Sequence, residues 1–431
     1  MKKKSKSIPD LRFSNFSGSW EKHKLCKVAE IFDGTHQTPK YVSEGIPFVS
    51  VESIHNISGT KKFITPAAFK KDFKNPPRRG DILMTRITAG IIGATAIVES
   101  NSPLAYYVSL ALIRIKGDVS LEYLNHFIST DQFKRELHKR IIHVAFPKKI
   151  NLGEIGDCVT SQPYEKLEQQ KIAEFLTAVD KRIELLEQKK EKLEAYKKGV
   201  MQQLFPSTGS GQVPKIRFKE DDGSDFPDWE KKKLGEIYEF RTTNSFSRDK
   251  LNYESGEYRN IHYGDIHTKL PTLVDLREIN LPFLNKDIEI RKTYIENQVE
   301  AGDLIIADAS EDYADIGKTI EVINTSVQKV FSGLHTLHAK RKNHSVEIGF
   351  GGYLMKTSVV RNQVKKIAQG TKVLSISVTR MSELELVIPC LEEQQKIVKF
   401  LRSLDKTTEK LIRQINQTQT WKRGLLQKMF V

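Results

Sequence analysis

A stretch of about 38 residues occurs twice in this chain, and this repeat constrains the fold more than any other feature. Residues 168–172 read Glu-Gln-Gln-Lys-Ile, and the same sequence returns at 393–397, a shift of 225 residues. The shift also brings Asp180 onto Asp405 without a gap. A register kept over this length does not suit a variable loop; it is typical of a helix whose faces contact partners.

Apolar residues in both copies recur at alternating steps of three and four, which indicates a heptad repeat. A helix of about 40 residues is roughly 60 Å long at 1.5 Å per residue, too long for one compact lobe. We therefore predict that the two helices pack on each other, and that they run antiparallel if a pseudo-twofold axis relates the halves of the chain. Two separate stalks, each pairing with another molecule, are the alternative. The residues predicted at the contact are Ile172, Leu176, Val179, Ile183 and Leu186 in the first helix and Ile397, Leu401, Leu404, Leu411 and Ile415 in the second.

The composition agrees with several domains and a charged partner. The 431 residues allow two or three domains with a core each. The 69 Lys and Arg residues exceed the 54 Asp and Glu residues by 15, which favours a polyanion such as nucleic acid, although a merely basic soluble protein would show the same excess. Cys26, Cys158 and Cys390 lie far apart, which argues against a disulfide framework and a structural zinc site. Since no apolar run is long enough to span a membrane, we expect a cytoplasmic protein.

Each half of the chain begins with a related motif. Residues 8–13 read Ile-Pro-Asp-Leu-Arg-Phe and residues 213–218 read Val-Pro-Lys-Ile-Arg-Phe, and a Trp-Glu pair follows each motif. The duplication therefore covers nearly the whole chain. The predicted segments are a lobe at 8–163, a helix at 164–205, a flexible linker at 206–212, a second lobe at 213–389 and a second helix at 390–431.

Inside the lobes the similarity is confined to a few landmarks. Residues 79–84 and 301–306 each contain a Gly-Asp turn that enters a buried strand. Helices are predicted at 121–139 and 353–368. The segments before the Gly-Asp turns differ in length and content, and a retained scaffold with altered tips is what two lobes recognising different surfaces would show. The predicted fold class is α+β.

Taken together, these motifs resemble the DNA specificity subunit of a type I restriction-modification system. The resemblance rests on the Arg-Phe and Trp-Glu motifs, on Asp-Gly-Thr-His-x-Thr-Pro at 33–39, on the Gly-Asp-Ile-Leu strand, and on Glu-Gln-Gln-Lys-Ile before each long helix. It covers essentially the full length. It implies two pseudo-twofold-related α/β target recognition domains, at 8–163 and 213–389, joined by two long antiparallel helices that form a coiled coil.

The same resemblance implies function and partners. The chain would be a non-catalytic subunit that reads a bipartite, asymmetric double-stranded DNA target and directs methyltransferase subunits, expected to number two, and restriction subunits to it. The helices would act as spacer and as docking sites for the methyltransferase subunits. The chain itself would hold no cofactor and no metal, with S-adenosylmethionine in the methyltransferase subunit and ATP and Mg in the restriction subunit. Two departures from the family pattern, at 241–245 and at 145–148, leave the base contacts in question.

Candidate DNA contacts fall into two classes. Lys and Arg grouped with small polar residues are predicted to bind phosphates, whereas side chains on loop tips are predicted to read base edges. Each could instead lie on a solvated helix face or cap a turn. The predicted phosphate contacts are Lys134, Arg135, Lys139, Arg140, Lys148, Lys149, Arg361, Lys365, Lys366 and Lys372. The predicted base readers are His36, Gln37, Thr38, Lys40, Arg86 and Thr88 in the first lobe and Arg241, Asn244, Arg259, Asn260, Ser310 and Tyr313 in the second.

Signatures of catalysis are weak. Residues 75–78 read Asn-Pro-Pro-Arg, similar to the Asn-Pro-Pro-aromatic tetrad of amino-methyltransferases, but Arg78 replaces the aromatic residue that stacks on a flipped base. His335 and His338 are predicted on one strand, where a spacing of three places them on opposite faces and disfavours a metal site. The alternatives to a specificity subunit are a self-sufficient DNA methyltransferase or nuclease, and a structural coiled-coil adaptor.

Overall fold

The chain forms two compact units. The computed structural model describes residues 8–207, 213–325, 328–342 and 344–431, so most of the predicted linker, 208–212, lies outside the described residues. Unit 1 comprises Met1–Lys189 and Leu411–Val431, and unit 2 comprises Lys190–Lys410. Each long helix therefore contributes one part to each unit, whereas the domain boundaries predicted from the sequence make each helix a separate segment.

Unit 1 is a mixed α/β lobe built around a four-stranded antiparallel sheet. Its strands are β1 (Glu21–Lys24), β2 (Ala29–Asp33), β3 (Ile46–Val49), β4 (Phe63–Ile64), β5 (Ile82–Thr85), β6 (Ile87–Thr88), β7 (Thr95–Ile97), β8 (Ala105–Tyr106), β9 (Leu110–Ile115), β10 (Lys148–Lys149) and β11 (Val159–Gln162). Its helices are α1 (Leu25–Val28), α2 (Pro66–Asp72), α3 (Leu121–Ile128), α4 (Asp131–His138), α5 (Leu152–Gly156) and the first half of α6 (Lys166–Leu204). The main sheet has the order β2-β9-β5-β7, beside a β4-β3-β8 sheet and the two-stranded ladders β1-β11 and β6-β10.

Unit 2 repeats this plan with more strands. Its strands are β12 (Glu230–Lys233), β13 (Tyr238–Arg241), β14 (Leu251–Asn252), β15 (Tyr258–Ile261), β16 (Leu273–Asp275), β17 (Phe283–Leu284), β18 (Leu304–Ala307), β19 (Ala309–Ser310), β20 (Thr319–Asn324), β21 (Lys329–Ser332), β22 (Thr336–Arg341), β23 (Leu374–Ser375) and β24 (Glu385–Ile388). Its helices are α7 (Leu234–Ile237), α8 (Tyr263–Thr268), α9 (Lys292–Glu296), α10 (Phe350–Leu354), α11 (Ser358–Ile367), α12 (Val378–Ser382) and the first part of α13 (Leu391–Lys428). The sheet β13-β22-β18-β20-β16 corresponds to the main sheet of unit 1, and the ladders β12-β24 and β19-β23 correspond to β1-β11 and β6-β10.

The two long helices contact each other within each unit, and they run antiparallel. In unit 1 the carboxylate of Asp180 on α6 forms an ion pair with Lys422 on α13. In unit 2 the carboxylate of Asp405 on α13 forms one with Lys197 on α6. The 225-residue shift converts the first pair into the second. The predicted fold class, α+β with two α/β lobes and two long antiparallel helices that contact each other, is confirmed.

The predicted contact residues of the helices are unequally buried. Ile172, Leu176 and Val179 join the core of unit 1, and Ile397 and Leu401 join that of unit 2. The remaining ones lie nearer the middle of the helices: Leu411 and Ile415 are buried, whereas Ile183, Leu186 and Leu404 are partly exposed. Among the described residues, no helix combines the length and the apolar character needed to cross a membrane.

The Glu-Gln-Gln motif fastens each long helix to its lobe. Glu168 accepts two hydrogen bonds of 2.7 Å from the guanidinium of Arg12, and Glu393 accepts bonds of 3.2 and 2.7 Å from Arg217. The next residue, Gln169, donates to the carbonyl of Pro163 and accepts from the amide of Ser120. Its counterpart in unit 2 forms the same two kinds of bond, to Pro389 and Glu347. Both motifs are therefore structural, which explains their repetition.

The Gly-Asp turns are also explained by local geometry. Gly80 and Gly302 have φ angles of 92° and 93°, a left-handed conformation that favours glycine. Asp81 then accepts from the amide of Arg78 at 2.8 Å and from Arg114 on β9 at 2.7 Å. The turn is thereby joined to the centre of the sheet.

The predicted helices at 121–139 and 353–368 are each broken in two, and this prediction is corrected. In unit 1 α3 ends at Ile128, and Thr130 caps α4 by accepting from the amide of Phe133. In unit 2 Thr357 caps α11 by accepting from the amide of Val360. A threonine inside an apolar pattern competes for backbone hydrogen bonds, so the pattern continues while the helix does not.

A buried histidine joins the lobe of unit 1 to α6. His126 lies four residues before the capping Thr130 and bonds to the hydroxyl of Thr177 at 3.0 Å. Burial lowers the pKa of His126 to about 4, and the nearby Lys422 acts in the same direction, whereas Asp180 opposes the shift. At the equivalent place in unit 2, Tyr353 donates to the carboxylate of Asp405 at 2.6 Å.

This histidine predicts a pH dependence of stability. The unfolded chain takes up a proton near pH 6.5, whereas folded His126 resists protonation down to about pH 4. The free energy of unfolding should therefore fall as pH is lowered through this window, by an amount on the order of 2 kcal/mol at about pH 5 relative to about pH 7.5. Urea unfolding of the wild type and of His126→Tyr at both pH values measures it. The variant should lose that part of the pH dependence, and an equal slope in both proteins would contradict the assignment.

Candidate nucleic-acid interface

An exposed loop follows β2 in unit 1, and it contains four of the predicted base readers. His36, Gln37, Thr38 and Lys40 are all exposed. The loop leaves the sheet at Gly34, where a Cβ atom would lie 2.6 Å from the carbonyl oxygen of Tyr106, so that only glycine allows this approach. Side chains that remain exposed on a loop fixed at its base can reach a ligand, as base recognition requires.

Arg86, another predicted base reader, lies in the interior of unit 1 and holds the base of this loop. It is 6% exposed, and its guanidinium donates to the carbonyls of Val108 and Ile150, each at 3.0 Å. It also donates to the carboxylate of Asp33 at 3.1 Å, and that carboxylate bonds to His36 at 2.7 Å. These hydrogen bonds all lie inside the unit. Arg86 is therefore a positioning residue for the loop, and its burial disfavours direct base contact by its side chain.

The other predicted contacts of unit 1 are more accessible. Thr88 is partly buried on the β6-β10 ladder, where it pairs with Lys148. Lys139 and Arg140 both form ion pairs with Glu136, at 2.6 and 2.9 Å, which leaves less of their charge for a phosphate. The exposed cations of this group are Lys134, Arg135, Lys139, Lys148 and Lys149.

Two predicted base readers of unit 2 lie in its interior. Asn260 is 0% exposed and accepts a 2.8 Å hydrogen bond from the amide group of Asn244, which is 2% exposed. Asn244 also donates to the carbonyl of Ser332. These amides connect β15 to the chain after β13 and are not available to a base edge.

Several further residues of unit 2 have structural bonds of their own. Arg259 donates to the side-chain oxygen of Asn280 at 2.8 Å and stacks 3.9 Å from the centre of the Phe283 ring. Arg361 donates to the carbonyls of residues 314, 316 and 317, and its burial lowers its pKa. Ser310, 9% exposed, bonds to the backbone of Asp312. Internal bonding occupies much of the Arg361 guanidinium and the hydroxyl of the buried Ser310, whereas Arg259 keeps a partly exposed position.

The remaining predicted contacts of unit 2 are accessible. Arg241 is exposed and paired with Glu239 at 2.6 Å. Tyr313 is 53% exposed, its hydroxyl donates to the carbonyl of Lys365, and the ammonium group of that lysine lies 5.7 Å from the ring centre. Lys366 and Lys372 are exposed.

Sequence reasoning missed a pair that occupies the place of Arg86 in unit 2. Asp308 follows β18 as Arg86 follows β5, and its carboxylate lies 3.4 Å from the ring of His335. His335 is half exposed and has a φ angle of 53°, which is uncommon for a residue other than glycine. Burial raises the pKa of Asp308. No local residue pattern predicts this pair, because Asp308 and His335 meet only when the chain returns to the end of β18.

The weak catalytic signatures have structural roles. The carbonyl of Pro76 accepts from Arg114, and the amide of Arg78 donates to Asp81, so the Asn-Pro-Pro-Arg segment forms the turn into β5. His338 is fully buried and bonded to Asp303 at 2.8 Å. Within the described ranges, no group of three potential ligands could hold a metal ion.

Known proteins share both the sequence pattern and the fold. The profile of the Methylase_S family, described as the type I restriction modification DNA specificity domain, matches residues 18–195 and again residues 227–418. The chain belongs to this family. The prediction of a non-catalytic type I specificity subunit is thereby confirmed, and a self-sufficient methyltransferase or nuclease and a structural adaptor are not favoured.

Individual relatives agree with this assignment. A chain of Methanocaldococcus jannaschii described as type I restriction enzyme MjaX specificity subunit is 24% identical over 407 residues, covering 90% of this chain and 88% of the relative. The crystal structure of the type I S subunit from M. genitalium matches with a TM-score of 0.58 at 14% identity, over 98% of this chain and 99% of that one. A chain from a structural study of the assembly and conformational transition of the type I R-M system matches with a TM-score of 0.55 at 15% identity, over 95% and 97%. At these identities the two structures show a common fold.

The positioning role of Arg86 in this specificity subunit can be tested by Arg86→Lys. A lysine keeps the charge but cannot bond to Asp33 and to two carbonyls at once. We expect the affinity of the assembled protein for its specific DNA target to fall roughly tenfold, or about 1.4 kcal/mol. The exposed Lys134→Gln is the matched control and should weaken binding less and without sequence preference. Equal losses on specific and unrelated DNA would argue that Arg86 binds phosphate instead.

Proposed function

We propose that the two units of this specificity subunit each read one half of an asymmetric, bipartite double-stranded DNA sequence. The observation that carries the proposal is a scaffold repeated in both units with different exposed loops: the Asp33-Gly34-Thr35 loop supported by Arg86 in unit 1 corresponds to a segment with other residues and other bonds in unit 2. Identical readers would select a palindrome, whereas unlike readers select two different half-sites. Binding by one unit raises the effective concentration of the other at its half-site.

The same proposal assigns the partners. The subunit would direct methyltransferase subunits, two in number, to an adenine in each half-site, and restriction subunits would join through that complex. S-adenosylmethionine would belong to the methyltransferase subunits, and ATP and Mg to the restriction subunits. Family membership supports this division of labour. Because the target is DNA, we place the complex in the cytoplasm.

Footprinting and methylome sequencing test the bipartite target. The purified complex with its methyltransferase subunits should protect two separated DNA segments, and the genome of a host that carries the complex should be methylated in a motif with two unlike halves. Binding should weaken steeply as salt concentration rises, because phosphate contacts release counterions. A single contiguous footprint, or one methylated half-site without a second, would contradict the proposal.

The long helices predict how the gap between the half-sites changes. Seven residues inserted after Lys189 and seven after Gln414, the positions that the 225-residue shift equates, lengthen both helices by about 10 Å. At 3.4 Å per base pair, the preferred gap should grow by about three base pairs. An insertion in one helix alone should disturb the pairing of Asp180 with Lys422 and of Lys197 with Asp405, and so weaken binding at every gap length. An unchanged gap after the matched insertion would refute a spacing role.

A further inference from the structure

Three large apolar side chains of unit 1 project into solvent at one end of the β6-β10 ladder. Thr88 of β6 pairs with Lys148 of β10. Ile91 lies three residues beyond Thr88, and Phe146 and Val144 lie two and four residues before Lys148, so both chain segments continue from the same end of the ladder. These three residues, Ile91, Val144 and Phe146, form what we term the apolar tip.

The exposure of the apolar tip is unusual for such side chains. Ile91 is 73% exposed, Phe146 is 92% exposed and Val144 is 97% exposed. Side chains this exposed contribute little to the core, so folding does not explain why three of them follow the same end of one short ladder. An apolar group that the fold itself leaves uncovered indicates an interaction surface.

The charges around the apolar tip are those of a nucleic-acid-binding surface. Residues 140–149 contain three cations and no carboxylate. Lys148 and Lys149 are exposed, and neither has an ion-pair partner within the described ranges, whereas Arg140 is paired with Glu136. Cations beside exposed apolar groups suit a polyanion that also offers flat apolar surfaces, as the phosphates and bases of DNA do.

The position of the apolar tip agrees with this partner. The residue after β10, Ile150, has its carbonyl bound by the guanidinium of Arg86, which also holds Asp33 at the base of the exposed 36–40 loop. The 36–40 loop and one end of the β6-β10 ladder are thus held by the same buried guanidinium, and the apolar tip extends from the opposite end of that two-pair ladder.

The equivalent ladder of unit 2 differs in a way that restricts the inference. There Ser310 pairs with Leu374, and the adjoining residues Tyr313 and Val373 are about half exposed, at 53% and 50%. Glu311 and Asp312, both exposed, precede the tyrosine. Carboxylates at this place would repel phosphates, so the following proposal concerns unit 1 alone.

We propose that the apolar tip of unit 1 contacts DNA bases, with Phe146 placed against or between the bases of one half-site and Lys148 and Lys149 on the flanking phosphates. The proposal rests on the proposed function, because it assigns a further contact to the same DNA complex. Apolar wedges and aromatic rings contribute to DNA binding through base contact, whereas lysines contribute through phosphate charge.

The two kinds of contact can be separated by the salt dependence of binding. The complex with its methyltransferase subunits is prepared with Phe146→Ala, with Phe146→Trp, with Lys148→Gln and with the control Tyr164→Ala, whose tyrosine is 83% exposed and lies outside the tip. DNA that carries the motif methylated by the wild-type complex is the probe, and the affinity of each variant for it is measured over a range of salt concentrations. Phe146→Ala should weaken binding roughly tenfold with an unchanged salt slope, whereas Phe146→Trp should keep the affinity of the wild type. Lys148→Gln should lower the salt slope by about one. Tyr164→Ala should bind as the wild type does.

Each alternative has a distinct result. Unchanged affinity in Phe146→Ala would overturn the proposal. A Phe146→Ala variant that failed to assemble with the methyltransferase subunits, while the assembled remainder bound DNA normally, would make the tip a protein-docking surface and overturn it too. A wild-type complex without two-part DNA binding would refute the proposed function itself, which is a different result from the loss of one contact.

Discussion

Replacement of Glu393 by alanine is expected to destabilise unit 2 by about 3–5 kcal/mol, because it leaves a guanidinium without its buried partner. The carboxylate is 0% exposed and accepts from Arg217 at 2.7 Å and from the indole nitrogen of Trp229 at 3.1 Å. Both donors would lose their acceptor, and the start of α13 would lose its attachment to the motif that opens unit 2. Denaturant-dependent hydrogen exchange of amides in unit 2, compared with those in unit 1, measures the loss.

The repeat supplies a matched control in Glu168→Ala. Glu168 is 1% exposed and accepts from Arg12, but the indole nitrogen of Trp20 has no acceptor within the described residues. Glu168→Ala therefore leaves one hydrogen-bond donor fewer without an acceptor than Glu393→Ala does. The loss of stability in unit 1 should be smaller by about 1–3 kcal/mol, the cost of one unsatisfied buried polar group. A loss in Glu393→Ala that did not exceed that in Glu168→Ala would show that the Trp229 bond contributes nothing. Loss of protection in both units from either change would contradict an effect confined to the unit that holds the substituted glutamate.

The long helices and the repeat could be predicted from sequence because they depend on local spacing. Heptad steps determine which face of a helix is apolar, and the 225-residue shift predicts that both helices share one contact pattern. The structure also explains why polar residues occur among the apolar positions of these helices. Lys197 on one helix forms an ion pair with Asp405 on the other. Helix ends inside the lobes were beyond this reasoning, since Thr130 stops a helix only through the bond that its hydroxyl forms.

The DNA-contacting residues were harder to predict because residue type does not reveal burial. Arg86, Asn244 and Asn260 have side chains that suit base recognition, yet each satisfies backbone or side-chain groups inside its unit. The groups that these side chains bond to lie on chain segments far apart in sequence, so local patterns do not show them. Conversely, Phe146 is of a residue type that is usually buried in a core, yet it is 92% exposed. The loop at 36–40 was predicted because residues 33–39 carry a motif of the family, which is a local signal, and the structure places these side chains in solvent.

Phe430, which follows the end of α13, should be as important to unit 1 as any residue of its own lobe. It is 6% exposed, and its ring centre lies 5.4 Å from that of Tyr123 and 5.7 Å from that of Phe127. Phe430→Ala is expected to destabilise unit 1 by about 3–5 kcal/mol, as loss of a buried phenyl ring does. The half-exposed Trp421→Ala on the same helix should cost less than about 1 kcal/mol.

The converse substitution tests whether the repeat holds at the level of energy. The shift of 225 residues places Phe430 on Phe205, which is 2% exposed and lies 5.8 Å from Phe350 in the core of unit 2. Phe205→Ala should therefore lower the stability of unit 2 by a similar amount, about 3–5 kcal/mol. Hydrogen exchange resolved by residue distinguishes the two variants, since each should expose only its own unit. A Phe430→Ala protein with unchanged exchange in unit 1 would mean that this ring contributes little to the core of unit 1, and only unit 2 would then depend on the phenylalanine that follows a long helix.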